Sequence, residues 1–264
     1  MKIIRDGATH TVKELDVAIA LAGDFESSYT AGDNHLVVAT DTMKNTVHAL
    51  ASQHLGLATE PFAAVLARHF TAKYPQVKTA RVEASERVWE RLTIGGEPHA
   101  HSFSGGQHAR PFTIATAEGG AVSMQSGIAD LLILKSTQSG FEGFPRCEFT
   151  TLRETGDRIF ATSLTATWTW SAEPPDYPAA NRALIAALFQ PFALNFSPSV
   201  QTTLFQMGAA ALAAVPAISR IHLSMPNKHC LPLDLTPLGL ENRSEIFLPT
   251  DEPHGLIEAT IGRQ

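Results

Sequence analysis

Strand-type sequence, then two helical stretches, then strand-type sequence again: that order occurs twice along this chain. In the first half, Val12 to Leu21 reads as a strand, with Val12, Leu15, Val17, Ile19 and Leu21 apolar. A helical stretch follows near Val47, Leu50 and Ala51, and another opens at Thr59-Glu60-Pro61 with Phe62, Val65, Leu66, His69 and Phe70 as its apolar stripe. Strand signals then run from Val77 to Trp89, over Leu92-Thr93-Ile94 before a Gly95-Gly96 turn, from Phe112 to Ala117 and from Ala121 to Met124.

The second half repeats the order. Ile128 to Leu134 is a near-continuous apolar run, read as a buried strand, and Arg158 to Trp170 is a strand rich in Thr, Ile, Phe and Trp. Ala180 to Phe189 reads as a helix. Ser197-Pro198 opens the next, with Ser197 as cap, Val200, Leu204, Met207 and Ala211 as stripe, and Pro216 as its end. Ile218 to Leu223, Glu245 to Leu248 and Leu256 to Ile261 return to strand. The repetition is of element order alone, without residue-level similarity between the halves. Strands, then helices, then strands imply antiparallel sheets with helices on one face, an α+β fold in two modules, 1–125 and 126–264. The other face of each sheet then needs cover, and oligomerisation is one way to supply it.

Composition narrows the function. The chain has 264 residues, 44% hydrophobic and 17% charged, with formal net charge −6, which gives no support for nucleic-acid or membrane-surface binding. No apolar run reaches the roughly 18 residues that a membrane helix needs. Met-Lys-Ile-Ile-Arg-Asp does not read as a signal peptide, and Thr-Ile-Gly-Arg-Gln carries no Ser-Lys-Leu address. Cys147 and Cys230 form no framework, so a cytoplasmic protein is expected. No Gly-x-x-x-x-Gly-Lys loop, Gly-x-Gly-x-x-Gly turn or Gly-x-Ser-x-Gly elbow occurs, so nothing points to a nucleotide cofactor or a serine hydrolase.

Several polar residues stand where chemistry is feasible. Thr40 and Asp41 end the run Val37-Val38-Ala39 and are N-cap types at a helix start, which suits an anion as well as a plain cap. Arg158 precedes an apolar strand; it either pairs with Glu154 or Asp157 or offers a fork to a planar anion. Val200 and Gln201 lie in a first helical turn, where an amide and free N–H groups can meet a heterocycle edge. Pro226-Asn227 implies an irregular turn presenting Asn227 and His229 side by side. His99 and His101, with His108, pass only part of a metal test, since no carboxylate or cysteine completes a recognisable spacing; no metal is expected.

These pieces join in a resemblance. Thr40-Asp41 with Lys44-Asn45-Thr46, Leu134-Lys135-Ser136-Thr137-x-Ser139-x-Phe141, then Phe144, Phe149, Leu152 and Arg158 resemble the urate oxidases (uricases). So do His222-Leu223-Ser224-Met225-Pro226-Asn227-Lys228-His229 and Asp251-Glu252-Pro253-His254-Gly255-Leu256-Ile257. The resemblance runs from about Asp16 onward. It implies two tandem tunnelling-fold modules per subunit and a barrel-like homotetramer with active sites between subunits. It also implies oxidation of urate by dioxygen and water to 5-hydroxyisourate and hydrogen peroxide, with no metal or organic cofactor.

By matching position, Arg158 and Gln201 would clamp the purine edge and Phe141 would stack on the ring. Backbone N–H groups of Val200 and Asp41 would add hydrogen bonds, and Leu152 and Ile257 would be apolar walls. Thr40 and Asp41 would come from a neighbouring subunit. Asn227 would hold dioxygen or water, and Thr40 and His229 would belong to a proton relay. One family feature has no match: a catalytic lysine in a Tyr-Gly-Lys context just before the first strand. Lys2, in the strand-like Lys2-Ile3-Ile4-Arg5, stands a few residues too late, and Lys13 lies in the next strand. Either the natural start lies upstream and supplies that lysine, or the protein lacks it, in which case loss of a general base costs ~10²–10⁴ in rate. The alternative expectations are a non-catalytic or altered purine-binding relative, or a different reaction on a pterin or purine. Gly156 and Glu142, where many relatives carry Trp, are smaller departures.

Overall fold

The computed structural model describes residues 1–56, 58–106 and 109–263 and divides into two units. The first comprises Met1–Ile128 and Thr169–Ala179. Its elements are β1 (Lys2–Asp6), β2 (Thr9–Gly23), α1 (Glu26–Thr30), α2 (Thr40–His54), α3 (Thr59–Lys73), β3 (Val77–Arg87), β4 (Trp89–Ile94), β5 (Glu97–Gly105), β6 (Arg110–Glu118) and the first part of β7 (Ala121–Lys135). The strand order is β1-β2-β3-β6-β7, with β4 and β5 a separate hairpin. The pairs β1/β2, β2/β3 and β3/β6 are antiparallel. Gly95 and Gly96 turn the hairpin with positive φ, which glycine adopts without steric cost.

Helix α3 lies across β3 and β6. Its stripe of Phe62, Leu66 and Phe70 is buried against Ala80, Val82, Ala84, Ala115 and Ala117. Small residues on the strands let the helix sit close, and each large buried side chain contributes about 1.5–3 kcal/mol. The apolar run Val37-Val38-Ala39 is not a strand: Val38 alone of the three is buried, packed with Phe70 and Val77.

The second unit, Ala129–Trp168 with Ala180–Gln264, holds the rest of β7, then all but the last two residues of β8 (Phe160–Trp170), all but the first three of α4 (Tyr177–Leu194), α5 (Val200–Ala214), β9 (Ile218–Pro232), a 3-10 turn (Thr236–Leu238) and β10 (Phe247–Gly262). The strand order is β7-β8-β9-β10. Helix α5 packs on β9 and β10. The core is Phe160, Leu164, Trp168, Leu184, Leu188, Leu204, Met207, Ile221, Leu223 and Met225. The α+β class with antiparallel sheets is as expected.

Three boundaries differ from expectation. Ala121–Met124 and Ile128–Leu134 belong to one strand, β7, and its second part is not buried: Leu132 is 68% and Leu134 54% exposed. Alternation places those two on the face opposite their half-buried neighbours. Glu245–Leu248 and Leu256–Ile261 likewise prove to be parts of β10, which bulges between Thr250 and Gly255. Strand β9 continues straight through Pro226-Asn227, because residues 224–227 pair with Glu258 to Gly255 of β10.

Candidate functional site

A short extended segment, Ser139-Gly140-Phe141, organises the polar residues of the second unit. On one side Arg158 N donates to Ser139 O (2.7 Å), and Phe141 and Thr155 exchange backbone bonds (2.8 and 3.2 Å). On the other side Gly140 N donates to Ser197 O and Ser197 N to Gln138 O, both 2.9 Å. Gly140 has to be glycine, because a Cβ there would lie 2.8 Å from Thr155 O and 3.2 Å from the Phe196 ring. The segment thus ties the approach to β8 and the approach to α5 to one backbone.

Arg158 and Phe141 are brought together, the guanidinium carbon 6.0 Å from the ring centroid. Burial pulls the Arg158 pKa down, yet a guanidinium keeps its charge at any physiological pH. Its Nε is buried and has no hydrogen-bond partner, a costly arrangement that an acceptor at the site would relieve. Neither carboxylate weighed as its salt-bridge partner is turned to that job. Glu154 accepts from Gly143 N (3.1 Å), and Asp157 from Thr137 Oγ1 (2.8 Å) and Gln138 N (3.2 Å). Phe144 stacks on Phe141 with centroids 4.9 Å apart and planes 8° from parallel.

Helix α5 begins at Val200, and its cap is Ser199, whose hydroxyl accepts from Thr202 N at 3.1 Å. The expected cap, Ser197, is instead buried and bonded to Thr203 Oγ1 at 2.6 Å. Ser197 is drawn into the pairing with residues 138–140, so the helix starts later. With Thr202 N satisfied, the first-turn N–H groups of Val200 and Gln201 have no intrahelical acceptor. Val200 is buried and Gln201 exposed.

Asn227 and His229 lie in β9 rather than in a turn. They still share a face, being two residues apart on a strand, and it is the face of buried Leu223 and Met225. Ile257 pairs directly with Met225 and so joins them. Opposite Lys228 the bulge loops out Asp251 to His254. The Lys228 ammonium bonds the Asp251 carboxyl and holds its pKa below the usual range. Leu152 is 51% exposed, in the loop whose backbone Arg146 holds through the Leu152 carbonyl (2.8 Å).

In the first unit Thr40 and Asp41 open α2, but neither is its cap. Ala39 takes that position, with no side-chain bond. Asp41 serves from inside the first turn, accepting from Lys44 Nζ (2.6 Å) and Asn45 Nδ2 (2.9 Å), where a carboxylate complements the helix dipole. Thr40 and Asp41 are both exposed. Lys2 Nζ reaches the other end of this helix, donating to the carbonyls of Ala51 (3.1 Å) and Ser52 (3.2 Å). Lys13 is buried and paired with Glu86 at 2.5 Å. His99 and His101 contact each other edge to face, with His10 nearby. His108 lies outside the described residues. Among the described residues no group of three His, Cys, Asp or Glu side chains is arranged to hold a metal.

Antiparallel sheets carrying helices define an α+β protein, and in its second unit a half-buried guanidinium lies beside an aromatic ring and is tied through one backbone segment to a capped helix start. The chain belongs to the uricase family: the Uricase family model matches residues 1–116 and 124–258. The uricase of Dictyostelium discoideum is 41% identical over 256 residues, 96% of this chain and 89% of that one. The uricase of Arthrobacter globiformis is 40% identical over 264 residues, 100% of this chain and 86% of that one. A crystal structure of the Arthrobacter globiformis uricase superposes with a TM-score of 0.94 at 41% identity, covering 100% of this chain and 90% of that one.

Sequence reading missed the roles rather than most of the residues: Asp157, offered as a partner for Arg158, bonds Thr137 and Gln138, and Ser197, offered as a cap, bonds Thr203, which was not singled out. Their one local signal was the density of Ser and Thr from Ser136 to Ser139 and from Ser197 to Thr203.

Proposed function

We propose that this chain is a urate oxidase, an oxidoreductase of purine degradation. It converts urate, dioxygen and water to 5-hydroxyisourate and hydrogen peroxide. The family match over nearly the whole chain carries this reading. Deprotonated urate is itself the two-electron reductant and dioxygen the acceptor, so the reaction needs no electron carrier. What the protein must supply is position and charge.

Arg158 gives the bidentate fork for the urate edge, and its unpartnered Nε supports that role. Gln201 and the Val200 N–H complete the edge, Phe141 stacks on the ring, and Leu152 and Ile257 wall it. Asn227 holds dioxygen and then water against the ring face. Thr40 and Asp41 enter from a neighbouring subunit, the Asp41 N–H as a donor, Thr40 in a proton relay with His229. The exposure of Thr40 and Asp41, and of Leu132, Leu134, Leu248 and Leu256 on strands, supports a homotetramer of two modules per subunit, 1–125 and 126–264. No helix among the described residues is long and apolar enough to cross a membrane. A cytoplasmic location is part of this proposal.

The test is a coupled assay on metal-stripped protein. Loss of urate ultraviolet absorbance should accompany oxygen uptake and peroxide release. Urate binding without oxygen consumption would overturn the catalytic reading and leave a purine-binding protein.

A further inference from the structure

We infer that Asp157 and the Ser197–Thr203 hydroxyl pair are positioning residues that set the spacing between Arg158 and the first turn of α5, and so the fit of urate; this rests on the urate reading above. Arg158 and Gln201 stand on different elements, and the link between them is the backbone of residues 138–140. Each side of that link carries a side-chain lock in addition to its backbone bonds.

On the Arg158 side, one carboxylate oxygen of Asp157 accepts from both Thr137 Oγ1 and Gln138 N. The Asp157 carbonyl accepts from Thr155 Oγ1 at 2.8 Å. The carboxylate of the residue immediately before Arg158 is therefore fastened to Gln138 of the link and to its neighbour Thr137, and its backbone to Thr155. On the α5 side, Thr203 Oγ1 donates to Ser197 Oγ at 2.6 Å. Thr203 is in the first turn of the helix, and Ser197 is the residue whose N–H and carbonyl grip Gln138 and Gly140. The bond therefore fixes how the first turn sits on the link.

Ser197 and Thr203 are each 1% exposed. Apolar side chains of the same size would fill this space without a desolvation penalty, so hydroxyls here contribute direction rather than burial. Direction matters because a planar, bidentate edge tolerates little misplacement: a hydrogen bond weakens steeply as its donor turns away from the acceptor.

The experiment measures anaerobic urate Kd, aerobic KM and kcat, and melting temperature for the full chain. Thr203→Val keeps the volume and removes the donor. Asp157→Ala removes the other lock from an exposed position, so it remains informative if Thr203→Val fails to fold. Each should raise Kd and KM roughly tenfold, the size of one misaligned hydrogen bond, with kcat changed much less. Thr203→Ser and Asp157→Asn, which keep the hydroxyl and the accepting oxygen, should restore Kd to near the wild-type value. Arg158→Met is the reference. If it leaves Kd unchanged, the urate clamp itself is wrong and the inference falls with it. If Arg158→Met weakens binding while folded Thr203→Val and Asp157→Ala bind urate normally, the clamp stands and the positioning role is refuted.

Discussion

Helices α2 and α5 both present a first turn to the proposed chemistry, and they are anchored at opposite ends. Helix α5 is held at the start. Ser199 caps it, Thr203 bonds Ser197, and Ser197 is paired with residues 138–140. Helix α2 is held at the finish, where Lys2 Nζ meets the carbonyls of Ala51 and Ser52 and a positive charge complements the dipole. Its own start has no side-chain cap, and Asp41 bonds only within the helix. The α5 end is thus finished inside one chain. The α2 end is left exposed, as the proposed site shared between subunits requires.

Mutations can break this contrast. The largest effect is expected from Thr40→Ala and Arg158→Met, each lowering kcat/KM by ~10²–10³-fold through loss of the proton relay or the charged fork. Co-expressing the two variants should restore part of the activity, since some sites then pair an intact Thr40 with an intact Arg158. Mixed oligomers no more active than either parent would show that both residues act from one chain. Next is Gly140→Ala. Its Cβ would press on Thr155 O, so a loss of about 1–3 kcal/mol is expected in denaturant melts, together with a raised urate KM.

Ser199→Ala removes a cap that is made and should cost about 1 kcal/mol. The same measurement on Thr40→Ala should give little change, because Thr40 makes no cap bond. A Thr40→Ala loss as large as that of Ser199→Ala would erase the distinction between the two helix starts. The smallest effect belongs to Lys2→Met, which should cost about 0.3–1 kcal/mol by exposing the end of α2, with screening by salt.

Much of the molecule was legible locally. Of the stripe Phe62, Val65, Leu66, His69 and Phe70, three residues (Phe62, Leu66 and Phe70) are buried and Val65 and His69 half-buried, and the stripe Val200-Leu204-Met207-Ala211 is buried throughout. The helix that Pro216 was expected to stop ends at Ala214. These features depend on residues within a turn or two of each other, so neighbouring side chains are sufficient to specify them. The strand–helix–helix–strand order, and with it the α+β class, follows from the same short-range signals.

Other features needed partners far along the chain. Pro226-Asn227 reads as a turn, but pairing with Gly255 to Glu258 holds it in β9 and puts Asn227 and His229 on the face of Met225. Ser197 has the chemistry of a cap, but its backbone bonds to Gln138 and Gly140 move the cap to Ser199. Asp157 stands next to Arg158 in sequence and bonds Thr137 and Gln138 instead. Sequence alone determined the order of helix and strand segments and the apolar stripes of α3 and α5, because periodicity and residue type act over a few positions. Only the tertiary structure decided where the polar groups turn, because a hydrogen bond goes to whichever partner the folded backbone brings within reach.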